Sequence, residues 1–330
     1  FGSLGFMSTH ADTFHLNYKA ALKYHYFTHD FNQAEHGAQL NISMDKSLRL
    51  FNLAGDLGAA YYGHYPDAWD TVLQNNLIIT INPRIEKETG EWRFVAGFNS
   101  SVDSRNGTAR FHFYPKARFE FNVVREVIVP YFGVDGYLES NNYRKIAGEN
   151  PYINPGLSVI PTSHKLIAYL GIKGRVGQGF LYNLRGSYSI IDNQYFFVND
   201  TSQVLKNQFS VVYSDITKLQ LHGEISIKPS DSWKVFLKAN YYSYTLSTMK
   251  LADGTSRNLR DDDYAWNRPN FDISLQARYN LADKILVNMG VYIIGERYYE
   301  DFSQLTEETL PLAVDVNLGV EYRYSKLLSF

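Results

Sequence analysis

Three things are scarce in this 330-residue sequence, and each absence removes a class of function. There is no cysteine, which excludes disulfide frameworks, zinc–thiolate sites and thiol nucleophiles together. It also suits a chain that passes through an oxidising periplasm. There is no long apolar run: stretches such as Leu77-Ile78-Ile79 and Ile285-Leu286-Val287 last only a few residues. A membrane-spanning helix needs about 20, so helical membrane proteins are out. There is no excess of one charge, with 32 basic and 34 acidic side chains, so the basic stripe of a nucleic-acid binder is missing. Phe1-Gly2-Ser3 offers neither an initiator Met nor a charged-then-apolar leader, and a removed leader or an internal fragment is expected.

What is abundant is aromatic. Tyr contributes 26 residues and Phe 21, and they recur with a period of two. From Phe14 the large or apolar residues fall at Leu16, Tyr18, Ala20, Leu22, Tyr24 and Tyr26, alternating with His15, Asn17, Lys19, Lys23 and His25. Successive side chains of a strand point to opposite faces, so a period of two sorts these sets cleanly, whereas a helix would scatter both. Residues 109–123 repeat the pattern with Phe111, Phe113, Ala117, Phe119 and Phe121 on one face. Arg110, His112, Lys116, Arg118 and Glu120 lie on the other.

The same reading predicts fourteen strands, at 13–26, 37–45, 49–62, 75–86, 91–103, 109–123, 126–138, 163–174, 178–191, 207–228, 232–246, 269–281, 284–296 and 309–324. Residues 1–12 are a lead-in, and 1–330 form a single domain. Connections alternate between short turns and longer excursions near 27–36, 63–74, 139–162, 192–206, 247–268 and 297–308. The compact turn Asn106-Gly107 breaks that alternation on the long-loop rim. Leu327-Leu328-Ser329-Phe330 reads as a strand cut short, so sixteen strands are expected of the complete protein.

Strands of a dozen or more residues exceed the ~5–6 of a soluble sandwich. A twelve-residue strand tilted at about 45° rises about 28 Å along the normal, enough for the ~25 Å apolar band of an outer-membrane barrel. The charged inner row cannot pack in a dry core. Tyr and Trp sit near strand ends, as interfacial girdles require. The expected fold is therefore all-β, a transmembrane antiparallel up-and-down barrel in the bacterial outer membrane, with long loops extracellular and short turns periplasmic. Outer-membrane lipid and lipopolysaccharide are its expected surroundings.

Chemistry is weakly signalled. Asp261-Asp262-Asp263 offers carboxylates for a cation but in no calcium-loop register. His25 and His29 are four apart, which on a strand separates them by about 13 Å. His29-Asp30 with the Asp261 run suggests a barrel protease only if they face each other. His112, His164 and His222 lack a motif tying them to a serine, as a lipase would need. No cofactor, metal or enzymatic activity is expected. The inner row is the richest feature: Arg110, Lys116, Arg118, Lys173, Arg185, Lys238 and Arg278, opposed by Glu120, Glu224, Asp272, Asp315 and Glu321. A mixture of signs tunes a pore or neutralises a wall.

Two stretches carry a resemblance: Val291-Tyr292-Ile293-Ile294-Gly295-Glu296-Arg297-Tyr298 and Asp315-Val316-Asn317-Leu318-Gly319-Val320-Glu321-Tyr322-Arg323-Tyr324. They resemble strands of Bacteroidota outer-membrane barrels, in particular the barrels of TonB-dependent-receptor-like proteins. The strand pattern starts near residue 13 with no plug-like segment before it, so energised uptake is not expected. Two functions follow. The chain is a passive channel whose loops 139–162 and 247–268 fold inward to set the bore. Or it is an accessory subunit of an outer-membrane or surface complex, docking partners through loop residues Tyr143, Arg144, Tyr152, Tyr264 and Trp266. A fatty-acid-type transporter, which needs an apolar lumen pocket and an N-terminal hatch, is a third alternative, with a barrel enzyme beyond it.

Overall fold

A computed structural model of the chain describes residues 1–8, 15–29, 33–65, 74–154, 156–199, 208–250, 256–260, 263–301 and 306–324. The strands are β1 (Gly2–Met7), β2 (Asn17–His29), β3 (Gln33–Ser47), β4 (Asn52–Tyr65), β5 (Gln74–Glu88), β6 (Trp92–Arg105), β7 (Thr108–Phe121) and β8 (Val129–Glu139). A short helix, α1 (Tyr143–Glu149), precedes β9 (Thr162–Val176), β10 (Phe180–Asn199), β11 (Phe209–Ser230), β12 (Trp233–Lys250) and the two-residue β13 (Ser256–Arg257). β14 (Phe271–Leu281), β15 (Ile285–Ile294), β16 (Arg297–Asp301), β17 (Thr306–Leu310) and β18 (Ala313–Tyr322) complete the order.

Fifteen of these strands form one antiparallel meander in chain order, β1 to β12, then β14, β15 and β18. β13 only extends the edge of β12, and β16 with β17 is a separate small hairpin. All fourteen strands of the two-residue pattern are present. The lead-in supplies a fifteenth: Gly2–Met7 pairs with Lys19–Tyr24, where alternation is too short to read. Leu327–Phe330 lie outside the described residues. Among the described residues, β1 and β18 are the free edges and no pairing joins them.

Alternation sorts the two faces as the sequence pattern requires. On β7, Phe113 is 59% exposed and its neighbour Tyr114 is 2% exposed. Leu40, Leu57, Ile79, Phe111, Phe132, Leu170 and Leu221 continue the exposed row around the sheet. In water such a band would be costly, since each buried apolar side chain is worth about 1.5–3 kcal/mol. In a bilayer it is the required outer surface. The opposite face carries the polar side chains. At Asn106 and Gly107 the chain reverses with φ of 46° and 84°, the double positive φ of a tight hairpin turn that Asn-Gly adopts at little cost.

Candidate functional site

The site grows from the polar face of the sheet and from one loop laid across it. The lower wall holds the densest ionic cluster. Arg118 Nε lies 2.7 Å from Glu120 Oε1, and Lys173 Nζ donates to Glu120 Oε2 at 2.8 Å. Both cations sit over the Tyr131 ring, at 4.9 and 5.8 Å from its centroid. Arg185 stacks on Tyr169 at 4.8 Å, and Lys116 lies 4.0 Å from Asp135.

The remaining predicted wall residues have other partners, although Glu224 lines one cavity with Glu120 and Lys173. Glu224 and Lys238 face each other in register, with His222 Nε2 3.6 Å from Glu224. Asp272 accepts from Asn240 Nδ2 and from the Tyr242 hydroxyl, both at 2.8 Å. Arg278 donates to Asn288 Oδ1 at 2.8 Å. Asp315 accepts from Asn317, and Glu321 accepts from Arg323. Arg110 is exposed opposite Asp103. Arg118, Lys173, Lys116 and Glu321 thus meet opposite charges, whereas Asp272, Arg278 and Asp315 meet neutral amides or a hydroxyl, and no ring of one sign runs round the wall among the described residues.

The loop 140–161 folds onto this face and is fastened along its length. Asn142 Oδ1 caps α1 by accepting from the Lys145 amide at 2.7 Å, satisfying one of the free amides of a helix start. A second acceptor comes from β3: the Glu35 carboxylate takes the Tyr143 amide at 2.6 Å and the Arg144 amide at 3.4 Å. Glu35 is buried, and His25 Nε2 lies 3.1 Å from Oε1, the oxygen that also faces the Arg144 amide. Gly37, opposite His25 in the β2–β3 register, makes room for that ring. A Cβ there would lie 2.0 Å from His25 Cε1. The Tyr143 ring stacks on His64 of β4 at 4.4 Å.

The far side of the strap reaches β10 and β11. The Tyr195 hydroxyl donates to Glu149 at 2.5 Å, and Lys145, paired with Glu139, sits 5.7 Å from the Tyr195 ring. Tyr143, Ile146, Ile153 and Leu157 pack with Val211 and Tyr213 in one buried cluster. The Tyr213 hydroxyl donates to Ser158 O and accepts from the Ile160 amide. Asn154 N and Phe209 O are joined at 2.6 Å.

These contacts fix where the strap runs. β3 and β10 are seven strands apart in the meander, which in a flat sheet is about 34 Å at ~4.8 Å per strand. A seven-residue helix is only about 10 Å long. The sheet must therefore curl, with α1 on its concave side, bridging walls that the strand order keeps far apart.

The partner-loop residues are placed unequally. Tyr143 and Trp266 are buried, at 1% and 2% exposure, because they anchor their own loops. Trp266 packs with Phe196, Val212 and Met249, and Tyr264 stacks on Tyr298 at 4.2 Å. Neither Tyr143 nor Trp266 is available to a docking protein. Arg144 and Tyr152 are exposed. His164 pairs with Glu139 and His222 with Asn240, on different strands. Asp30, Asp261 and Asp262 lie outside the described residues, as does the His29 side chain. The Glu35 anchor was hidden because residues 27–36 read as a loop. The strands instead continue to His29 and resume at Gln33, beyond the apolar band, where alternation no longer marks them.

No protein-family model matches the sequence, and no curated protein matches it. Solved structures do. The copper transporter OprC aligns over 98% of this chain and 57% of its own, with a TM-score of 0.63 at 10% identity. The siderophore receptor PiuA from Acinetobacter baumannii aligns over 98% and 58%, TM-score 0.60, 10% identity. The FrpB iron transporter from Neisseria meningitidis (F3-3 variant) aligns over 97% and 55%, TM-score 0.66, 9% identity. This chain spans little more than half the length of these neighbours. The shared feature is the fold, that of TonB-dependent-receptor barrels, and with the apolar outer band it places the chain in the outer membrane.

Proposed function

We propose that the chain forms the wall of a non-enzymatic outer-membrane barrel that conducts a small polar solute, with its path closed at the long-loop end by the strap 140–161. The observation that carries this reading is the fastening of α1 between β2–β4 and β10–β11 across the concave face. A scaffold needs no crossing element held by a buried carboxylate, and a constantly open pore would not be crossed there by a packed core. The polar inner wall suits water and polar cargo, and the outer face suits lipid and the acyl chains of lipopolysaccharide. The neighbours named as transporters and receptors support the transport class. The long-loop end then faces outward, and a Bacteroidota source fits the Tyr-rich strand style.

Liposome swelling tests the reading. Vesicles carrying the full-length protein should swell slowly in an iso-osmotic polar solute. Replacing 142–157 by a Gly-Ser linker should raise the rate at least fivefold, with Lys116→Gln or Arg118→Gln then altering ion preference. Equal rates from the intact and strap-less barrels, both folded, would exclude closure by the strap.

A further inference from the structure

Where α1 meets β3 the strap covers a pair of titratable side chains. Glu35 is 1% exposed and His25 is 6% exposed. His25 Nε2 lies 3.1 Å from Glu35 Oε1, and the same carboxylate takes the Tyr143 and Arg144 amides. Docking of α1 and burial of this pair are therefore one event.

Every element packed around Glu35 enters its charge balance. β2 supplies His25. β4 supplies His64, which is opposite Glu35 in register and stacked on Tyr143, and Tyr62, whose ring centroid is 6.3 Å from that of His25. β5 supplies only the amides of Asn75 and Asn76. β6 supplies Arg105, which lines a small cavity with Glu35, Tyr62, His64 and Tyr143 and lies 3.5 Å from Asp103, an opposite charge on its own strand. α1 supplies its two amides and the Tyr143 phenol, whereas the Arg144 side chain is exposed.

The charge count sets a direction. With one proton on the pair, His25 and Glu35 are neutral together, either as an ion pair or as an uncharged acid and base. Without it the strap covers a lone carboxylate, and an unpaired buried charge is far more costly than a paired one. Burial accordingly pushes the Glu35 carboxyl up, against the hydrogen bonds from His25 and the two amides. Once α1 lifts, water reaches Glu35 and the carboxyl returns towards about 4.3. The docked state then holds the proton more tightly than the lifted state. This contribution to docking is fully present below the lifted-state value and is lost as pH rises through the docked one.

The root of the strap behaves differently. The hydrogen bond from His164, with Lys145 beside it, holds the Glu139 carboxyl down to about 2. Glu139 stays ionised throughout, and its tie to Lys145 of α1 persists. From this geometry we propose that the buried His25–Glu35 pair is a proton-operated latch: α1 docks on β3 while the pair holds one proton, and pivots about its Glu139 root as that proton leaves. The latch rests on closure by the strap and adds its regulation.

Hydrogen exchange of the full-length protein in detergent reads the latch without needing conduction. Protection of the 143–147 amides is taken relative to a free peptide of residues 140–161 at the same pH. It should fall about tenfold from about pH 4.5 to about pH 8, with β5–β7 unchanged. Glu35→Gln keeps an oxygen for the two amides but has no proton to lose, so it should stay docked with a flat profile. His64→Phe keeps a ring against Tyr143 and should retain the response. If Glu35→Gln fails to give a heat-modifiable folded barrel, His25→Gln serves in its place and should move the midpoint by about one pH unit or more. The proposal is overturned if wild-type protection is constant over this range, if Glu35→Gln or its substitute keeps the wild-type profile, or if His64→Phe abolishes the response. Protection that responds to pH while vesicle swelling does not would keep the latch and sink closure by the strap. Swelling that responds while strap protection does not would sink the latch alone.

Discussion

Glu35 is one carboxylate on which a whole loop hangs. It is buried, and it accepts from two α1 amides that the seven-residue helix cannot satisfy itself. Hydrogen bonds to a charged group are worth about 1.5–3 kcal/mol, so Glu35→Ala should undock the strap while leaving the meander intact. Hydrogen exchange read by mass spectrometry checks this. The amides of 143–147 should exchange ten- to a hundredfold faster, with β5–β7 unchanged. Tyr143 gives a pH signature of the same contact. Burial, with the Glu35 charge beside it, pushes its phenol up to about 12, whereas a released tyrosine titrates near 10. The released state therefore loses its proton first as pH rises, and docking weakens by about 1.4 kcal/mol per pH unit between roughly 10 and 12. Below that window this group changes nothing. Proteolysis of the strap should rise across it in the wild type by more than in Tyr143→Phe, and parallel profiles would contradict the assignment. None of this was legible in the sequence. A lone Glu after a histidine-bearing strand end carries no periodic signal, and its partner amides lie 108 and 109 residues away.

At the scale of the strand, the sequence is far more explicit. Every strand of the apolar alternation formed, because a bilayer outside and a wet wall inside force opposite chemistry on adjacent residues. The misreadings lie where one of those two solvents ends. β1 is too short to alternate visibly. The upper parts of β10 and β11 rise into packed loop cores, where Phe196 and Val212 are buried with Trp266, and both faces turn apolar. The polar row was equally readable as a row, but not its pairing, since Lys173 of β9 meets Glu120 of β7 by reaching over the intervening β8. The face assignment makes a sharp prediction. Phe113→Arg, on the lipid side of β7, should destabilise the barrel by about 2–4 kcal/mol if it sits at the bilayer midplane. Tyr114→Phe, one residue on, loses only the hydroxyl contact to Ser163 and should cost about 1 kcal/mol. Urea unfolding in vesicles, followed by heat-modifiable gel mobility, ranks the two. The reverse order would mean the faces are exchanged.

The whole molecule is a curled antiparallel sheet with two unpaired described edges and a polar trough, crossed by a strap that ties β3 to β10. Contacts of that span carry the proposed closure of the trough in the docked state. The proposed opening acts at the strap's polar fastenings, Glu35 at one end and the hydroxyls of Tyr195 and Tyr213 at the other, around the buried cluster of Tyr143, Ile146, Ile153 and Leu157. The cysteine-free chain suits thiol probes placed at will along the strap. The most direct measurement is single-channel recording in a planar bilayer, comparing the full-length wild type with Glu35→Ala. The account predicts a nearly silent wild type with rare brief openings, and discrete, long-lived steps in Glu35→Ala that the intact strap suppresses. A wild type that conducts steadily, with the same step size and open time as Glu35→Ala, would contradict it.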